Sequence, residues 1–241
     1  MDRQGRQPMT VVVLLGAPGA GKGTQAPLLA RHLGVPVLAS GDLLRAAVAA
    51  GTAMGREADR YMSRGQLVPD PTIVKCFLDR LEQPDAQGGA ILDGFPRTRV
   101  QAQALDQALA EAGRAVDRAI YIDVPTEDLI TRMANRRICT ANGHVYNLAS
   151  NPPSRPGICD IDGSPIVQRP DDEEATVRAR MREQIEPLLD VVDHYRGAGI
   201  LITVDGLEPI DEVGRAIIAA FDASVGEPPP AGASSAAGRL G

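Results

Sequence analysis

The chain has no tryptophan, three phenylalanines and four tyrosines, so aromatic residues make up only 3% of its 241 positions. Any core must be aliphatic, and at 44% hydrophobic the chain has enough for one substantial core with inserted subdomains. Cysteine is also scarce: Cys76, Cys139 and Cys159 are too few, and odd in number, for a disulfide framework, which points to a reducing compartment. No apolar run is long enough to span a bilayer, and Met1 to Thr10 is polar without the hydrophobic stretch of a secretory signal. The expectation is a cytoplasmic protein with no membrane partner. Positive charge is in deficit, Lys+Arg 25 against Asp+Glu 31 giving a net −6, which argues against a nucleic-acid partner. Lysine itself is nearly missing: only Lys22 and Lys75 occur, and every other basic residue is arginine. A lysine kept in so arginine-rich a chain suggests a need for a compact ammonium rather than a planar fork.

Lys22 lies in the most informative stretch present, Gly16-Ala17-Pro18-Gly19-Ala20-Gly21-Lys22-Gly23-Thr24. It follows the apolar run Val11 to Leu15 and precedes Gln25 to Leu33, so a buried strand, a glycine turn and a helix start are expected in succession. A helix N-terminus offers unpaired N–H groups and a positive dipole end, and glycines let the backbone wrap around an anion. Lys22 adds a charge for the outer phosphates, and Thr24 a hydroxyl near an accompanying metal. Gly23 stands where this phosphate-loop pattern expects Ser or Thr, with the hydroxyl one place later. The alternative is a glycine turn that merely joins two elements, and the strand-to-helix context argues against it. The implied ligand is a nucleoside triphosphate.

Apolar or β-rich runs recur at Val11 to Leu15, Val35 to Leu38, Ala90 to Leu92, Ala119 to Val124 and Ile200 to Val204, separated by stretches of helical period. The fold class expected is α/β: a three-layer arrangement with a central parallel sheet, its ligand at the carboxyl ends of the strands. Two insertions stand out. Residues 40–68 read as a small helical block, in which Ala46 to Ala50 packs internally and Arg45 is unexplained by packing. Residues 137–171 carry five prolines and little helical period and read as a compact flap with a β-like piece at His144-Val145-Tyr146. Between them, Asp93 follows apolar residues as a Walker-B carboxylate does, and Arg132 and Arg136 share a helix face at i, i+4. Asp171 to Glu174 is expected to open a long helix with Val177, Met181, Ile185, Leu188 and Val192 as its core stripe, kinked at Pro187 and with Arg180 flanking the stripe. The domain reading is a flexible leader at 1–10, with Met9 as an alternative initiator, a core at 11–224 and a disordered tail at 225–241.

Together these features resemble the adenylate kinases of the long-lid type. The resemblance covers Val11 to Phe221 and rests on the loop at 16–24, Ser40-Gly41-Asp42-Leu43-Leu44-Arg45, Asp93-Gly94-Phe95-Pro96-Arg97-Thr98, Gln101, and Gln168-Arg169-Pro170-Asp171-Asp172. It implies reversible phosphoryl transfer from Mg-ATP to AMP, giving two ADP, by a cytoplasmic monomer. The implied ATP residues are Gly19, Ala20, Gly21, Lys22, Gly23, Thr24, Arg132, Arg136, Val145, Tyr146 and Glu208. Those implied for AMP are Ser40, Arg45, Gln66, Leu67, Val68, Gly94, Phe95, Pro96, Arg97 and Gln101, the last because an amide can donate to and accept from an adenine edge. Lys22, Arg97, Arg132, Arg136, Arg169 and Arg180 are the implied catalytic set, Arg169 and Arg180 also touching AMP, and Asp42 and Asp93 would order water around Mg²⁺. No catalytic base is called for, since an AMP phosphate oxygen is already anionic.

The flap departs from the family pattern. Where one branch carries four zinc ligands, this chain has Cys139, Asn142, Cys159 and Asp162, and Asn is a poor zinc ligand. A hydrogen-bonded polar cluster is therefore favoured over zinc, with His144 two residues out of register. His32, His144 and His194 are given no role, and Arg56, Arg60, Arg64, Arg118 and Arg215 are taken as surface charge. Other readings are a monophosphate kinase of different base preference or one using GTP as donor, a GTP-dependent switch, and a silent nucleotide-binding module. The switch lacks its Asn-Lys-x-Asp motif, because neither lysine follows an asparagine. The silent module would show a broken arginine set.

Overall fold

The computed structural model describes residues 10–62, 68–169 and 172–225, without the side chains of Met62, Arg180 and Val225. Gln66, Leu67, Arg64, Pro170, Asp171, the side chain of Arg180, residues 1–9 of the leader and 226–241 of the tail lie outside that description. In chain order the elements are β1 (Thr10–Leu15), α1 (Lys22–Leu33), β2 (Val37–Ala39), α2 (Ser40–Ala49), α3 (Ala53–Met62), α4 (Asp70–Leu81), β3 (Gly89–Asp93), α5 (Arg99–Glu111), β4 (Arg118–Asp123), α6 (Thr126–Ala134), β5 (Arg136–Cys139), β6 (Val145–Asn147), β7 (Ile166–Val167), α7 (Glu174–Gly197), β8 (Leu201–Asp205) and α8 (Ile210–Val225). Thr10, assigned to the leader from the sequence, pairs with Gly89 and opens β1.

Five strands form an all-parallel sheet in the order β2-β3-β1-β4-β8. The expected three-layer α/β architecture is what the chain adopts. β1 shows why: every residue from Val11 to Leu15 is buried, with Val11, Val13 and Leu15 facing one apolar layer and Val12 and Leu14 the other. A strand buried on both faces needs helices on both. α4 and α5 cover one face, and α1, α6 and α8 the other. α7 begins against the second layer through Val177 and Met181, ends against the first through Val191, Val192 and Tyr195, and touches both at Leu188. Pro187 sits within one continuous α7 rather than ending it.

β1 lies in the middle, with β3 on one side and β4 on the other, so the chain reverses its direction of travel across the sheet there. Crevices at such switch points are where parallel sheets bind ligands. In the helical block, Ala46, Ala49 and Ala50 are exposed and only Ala47 and Val48 turn inward, which corrects the expectation that the whole run packs. α2 and α3 meet instead at Gly55, where a Cβ would lie 2.0 Å from the Ala47 carbonyl oxygen. Arg118 is also not a surface charge. It donates to the Ser224 hydroxyl at 2.7 Å, to the Ser224 carbonyl and to the Asp117 carbonyl, tying β4 to the end of α8.

Residues 136–167 carry a separate antiparallel sheet in the order β6-β5-β7. Its interior is four residues: Cys139, Tyr146, Cys159 and Ile166.

Candidate active site

The loop from Gly16 to Gly21 runs from the carboxyl end of β1 into α1. Gly19 has φ 89° and Gly21 φ 101°, in the region that favours glycine, and a Cβ on Gly19 would press on Met133 at 3.0 Å and the Leu129 carbonyl oxygen at 3.2 Å. Lys22 reaches back over the loop, its Nζ donating to the carbonyls of Gly16 at 2.6 Å and Ala17 at 3.2 Å. Burial pulls its pKa down to about 8, against the nearby Asp93, which favours the charge, and with Arg97 and Arg136, which oppose it. Asp93, at the end of β3, is pushed the other way: burial raises its carboxyl above the usual range while Lys22 and Arg97 hold it back. The loop is thus a compact positive seat with one carboxylate beside it.

A cavity of about 1090 Å³ opens over this seat. Gly19, Ala20, Gly21, Lys22, Gly23 and Thr24 line its floor, and Ser40, Arg45, Gly94, Pro96 and Arg97 one side. Arg132, Arg136, Val145, Tyr146, Arg169 and Glu208 line the rest. The five described arginines of the expected set, counting Arg45, thus come from α2, the β3–α5 loop, α6, β5 and the return from the small sheet. Four of these five arginines, Arg45, Arg97, Arg132 and Arg136, are anchored by hydrogen bonds or ion pairs. Arg97 donates Nε to the Gly94 carbonyl at 2.7 Å and Nη2 to Ser40 Oγ at 3.2 Å, and Arg132 donates to the Gly206 carbonyl at 2.8 Å. Arg45 pairs with Asp42 at 2.5 Å. Tyr146 lines the cavity with its hydroxyl committed elsewhere, within 3.4 Å of Cys159 Sγ and accepting from the Asp160 N–H at 2.8 Å.

Three expected residues stand behind the wall rather than in it. Phe95 is buried and stacks on Phe77, ring centroids 4.3 Å apart, Val68 joins the same apolar layer, and Gln101 is 3% exposed. Other residues are met here without having been expected. α7 contributes Glu183, Gln184, Pro187 and Leu188 to the cavity. Asp172, read as helix-opening acid, precedes α7 and is fully buried, accepting from Arg136 Nε at 2.8 Å and Nη2 at 2.5 Å. Such a two-pronged pair compensates a buried carboxylate and fixes the guanidinium plane. In sequence Asp172 is one of four successive acids, and although it closes the motif at 168–172, nothing local names Arg136 as its partner.

The small sheet holds a second constellation. Ligand atoms of Cys139, His144, Cys159 and Asp162 all lie within 4.8 Å of one another. His144 Nδ1 is 3.3 Å from Cys159 Sγ and 3.3 Å from Asp162 Oδ2, and Cys139 Sγ is 3.1 Å from the same oxygen. Asn142 is not at a corner. It donates Nδ2 to Asp162 Oδ2 at 2.8 Å, the main reason that carboxyl is held far below its usual range. This corrects both the expected fourth position and the absence of a role for His144. The reason is the turn at Gly143, φ 70°, whose N–H donates to the Cys139 carbonyl at 3.0 Å and swings the next side chain into the cluster. Burial pushes the Cys159 thiol up, but hydrogen bonds from Tyr146, the Asp162 and Ile161 backbone and His144 outweigh it and leave it below its usual value.

A glycine loop at the end of a central parallel strand, seated under convergent arginines, defines a P-loop phosphotransferase. The family model for adenylate kinase matches residues 14–200. The adenylate kinase of Thermodesulfovibrio yellowstonii is 48% identical over 214 residues, covering 88% of this chain and 98% of that protein. Those of Streptomyces avermitilis (44% over 206 residues, 84% and 92%) and Archaeoglobus fulgidus (44% over 211 residues, 88% and 97%) are similar over nearly as much. The chain belongs to the adenylate kinase family.

Proposed function

We infer that the chain transfers the terminal phosphoryl group of Mg-ATP to AMP, reversibly, giving two ADP. The observation that carries this is the single cavity in which the loop of β1–α1 and the arginines of five other segments meet. That is what the reaction demands: two polyanions must be aligned and the charge on the transferred group neutralised, with little proton chemistry. Family membership supports this reading over a different monophosphate or GTP as donor. Mixing ATP, Mg²⁺ and AMP yields ADP from the wild-type chain and far less from Lys22→Ala; no ADP above that control would overturn the function.

Position in the cavity supports the following roles. Gly19 to Thr24 hold the ATP phosphates, Arg132, Val145, Tyr146 and Glu208 flank the donor base side, and Ser40, Arg45, Gly94, Pro96 and Arg97 the AMP phosphate. Val68, Phe95 and Gln101 back the AMP side from behind its lining, with Gln66 and Leu67 beside Val68 in sequence. Arg136 and Arg169 close over the phosphates between the nucleotides, as does Arg180 on this reading. Asp93 and Asp42 order the water around the Mg²⁺ that accompanies ATP. Residues 40–68 serve as the AMP-binding block and 137–171 as a lid. The lid excludes water, which would otherwise take the phosphoryl group. The enzyme acts as a cytoplasmic monomer on free nucleotides; among the described residues no helix is long and apolar enough to cross a membrane.

The lid cluster takes a structural zinc ion. Two thiols, an imidazole and a carboxylate suit its preference for four N, S and O ligands, and Asn142 behind Asp162 provides the outer hydrogen bond such ligands commonly have. A four-ligand set leaves no open position, so its role is to hold the lid together. Metal analysis of the purified protein finds zinc near one per chain; none at that level would leave the cluster a hydrogen-bonded one.

A further inference from the structure

α4 and α5 are joined by a partly buried hydrogen-bond chain through Gln101, itself 3% exposed. Its Nε2 donates to Asp70 Oδ1 at 2.7 Å, and its Oε1 accepts from the Arg97 backbone N–H at 2.7 Å. The backbone beneath is fixed as well, since the Gln101 N–H donates to the Thr98 hydroxyl at 3.2 Å to cap α5. The two side-chain partners are of opposite kind. A carboxylate only accepts, and a backbone N–H only donates. Turning the amide over would set Oε1 against the carboxylate and the NH₂ group against another N–H, losing both bonds and adding two repulsions. The last torsion of a glutamine is otherwise broad and nearly two-fold, so these partners are what select one orientation.

We propose that Asp70 is a specificity-determining positioning residue, which holds the Gln101 amide complementary to a 6-aminopurine and opposed to a 6-oxopurine. The proposal rests on the reading that Gln101 meets the acceptor base. With its two bonds made, the amide retains one lone pair on Oε1 and one N–H on Nε2. An adenine edge offers an N6–H donor and an N1 acceptor, which match them. A hypoxanthine or guanine edge offers O6 as acceptor and N1–H as donor, which requires the reverse order. A freely turning amide serves either base; a held one leaves the 6-oxopurine with unpaired polar groups, a strong basis for rejection.

The test compares kcat/KM for AMP and for IMP in wild type, Asp70→Ala and Asp70→Asn. In Asp70→Ala the AMP-over-IMP ratio falls about tenfold, through a higher KM for AMP and better use of IMP, while kcat for AMP stays within about twofold. Asp70→Asn, whose Oδ1 still accepts from Gln101, keeps the ratio within about threefold of wild type. A residue that only stabilised α4 would lower both substrates together and leave the ratio in place. The proposal is overturned if Asp70→Ala keeps the wild-type ratio, or if Asp70→Asn loses as much. If the alanine variant melts below the assay temperature, Asp70→Leu replaces it with the same expected loss. A wild-type chain that makes no ADP from AMP fails the function itself; one that does, with an unchanged ratio in the variants, fails only the role of Asp70.

Discussion

The two sheets of this molecule are held together by different means. The five-stranded sheet is sandwiched between two apolar layers, and its strands are buried on both faces. The small sheet has an apolar cluster of only four residues, two of them cysteines, and relies on a knot of thiol, imidazole, carboxylate and amide groups. Size explains the contrast. A segment of some thirty residues cannot bury enough apolar surface to offset its ordering entropy, so it needs a polar or metal staple. The same division runs through the cavity: the large sheet carries the glycine loop with Lys22, and the small sheet carries Arg136 and, on the return from it, Arg169.

The largest expected effect tests the side of the large sheet. Lys22→Met lowers the transfer rate by about 10³-fold without unfolding the sheet, because the lysine is bound to loop carbonyls rather than packed in the core. The pH dependence of stability checks its environment. With Lys22 held at about 8 in the folded chain and at 10.5 unfolded, the unfolded state binds more protons between those values. The nucleotide-free chain therefore gains stability as pH rises from about 8 to 10.5, and the cost of the buried charge is full below that window. Urea denaturation at both ends shows this slope in wild type and a smaller one in Lys22→Met.

Next comes the seam between the regions. Arg136→Ala strands the buried carboxylate of Asp172 and costs about 3 kcal/mol in chemical denaturation, whereas Asp172→Asn costs less because it removes the charge as well. Equal losses would show that the pair does not act through the buried charge. On the flap itself, Cys139→Ser lowers transfer about tenfold and speeds amide exchange at Ile138 and Ile166. It leaves exchange in β1 and β4 unchanged, and a matching change there would erase the contrast between the sheets. Smallest is Arg178→Ala, which removes exposed ion pairs to Glu127 and Glu174 and shifts stability by under about 1 kcal/mol.

Much of this was legible in the residues because it is local. The run Val11 to Leu15 followed by glycines and Lys22 specifies strand, loop and helix start from neighbouring positions alone, and all five parallel strands fall within two residues of where their apolar runs predict. The α7 stripe was readable for the same reason: Val177, Met181 and Val192 are buried at helical spacing. The polar partnerships were not. Asp172 looks like any acid before a helix, and its burial depends on Arg136, 36 positions earlier. His144 seemed out of register because ligand spacing was counted along the chain, while the turn at Gly143 changes which side chain faces inward. Arg118 passed for surface charge because its partner Ser224 lies 106 positions away.

By itself, then, the sequence determined the layered parallel sheet, the phosphate loop and the set of arginines, all of which follow from periodicity and short motifs. Only the tertiary structure decided which charges pair, which four atoms of the flap converge and which way the Gln101 amide faces. Apolar burial is non-directional and is encoded by pattern, but a hydrogen bond needs two specific atoms within about 3 Å, and residues far apart in the chain meet at that distance only once the fold has brought them there.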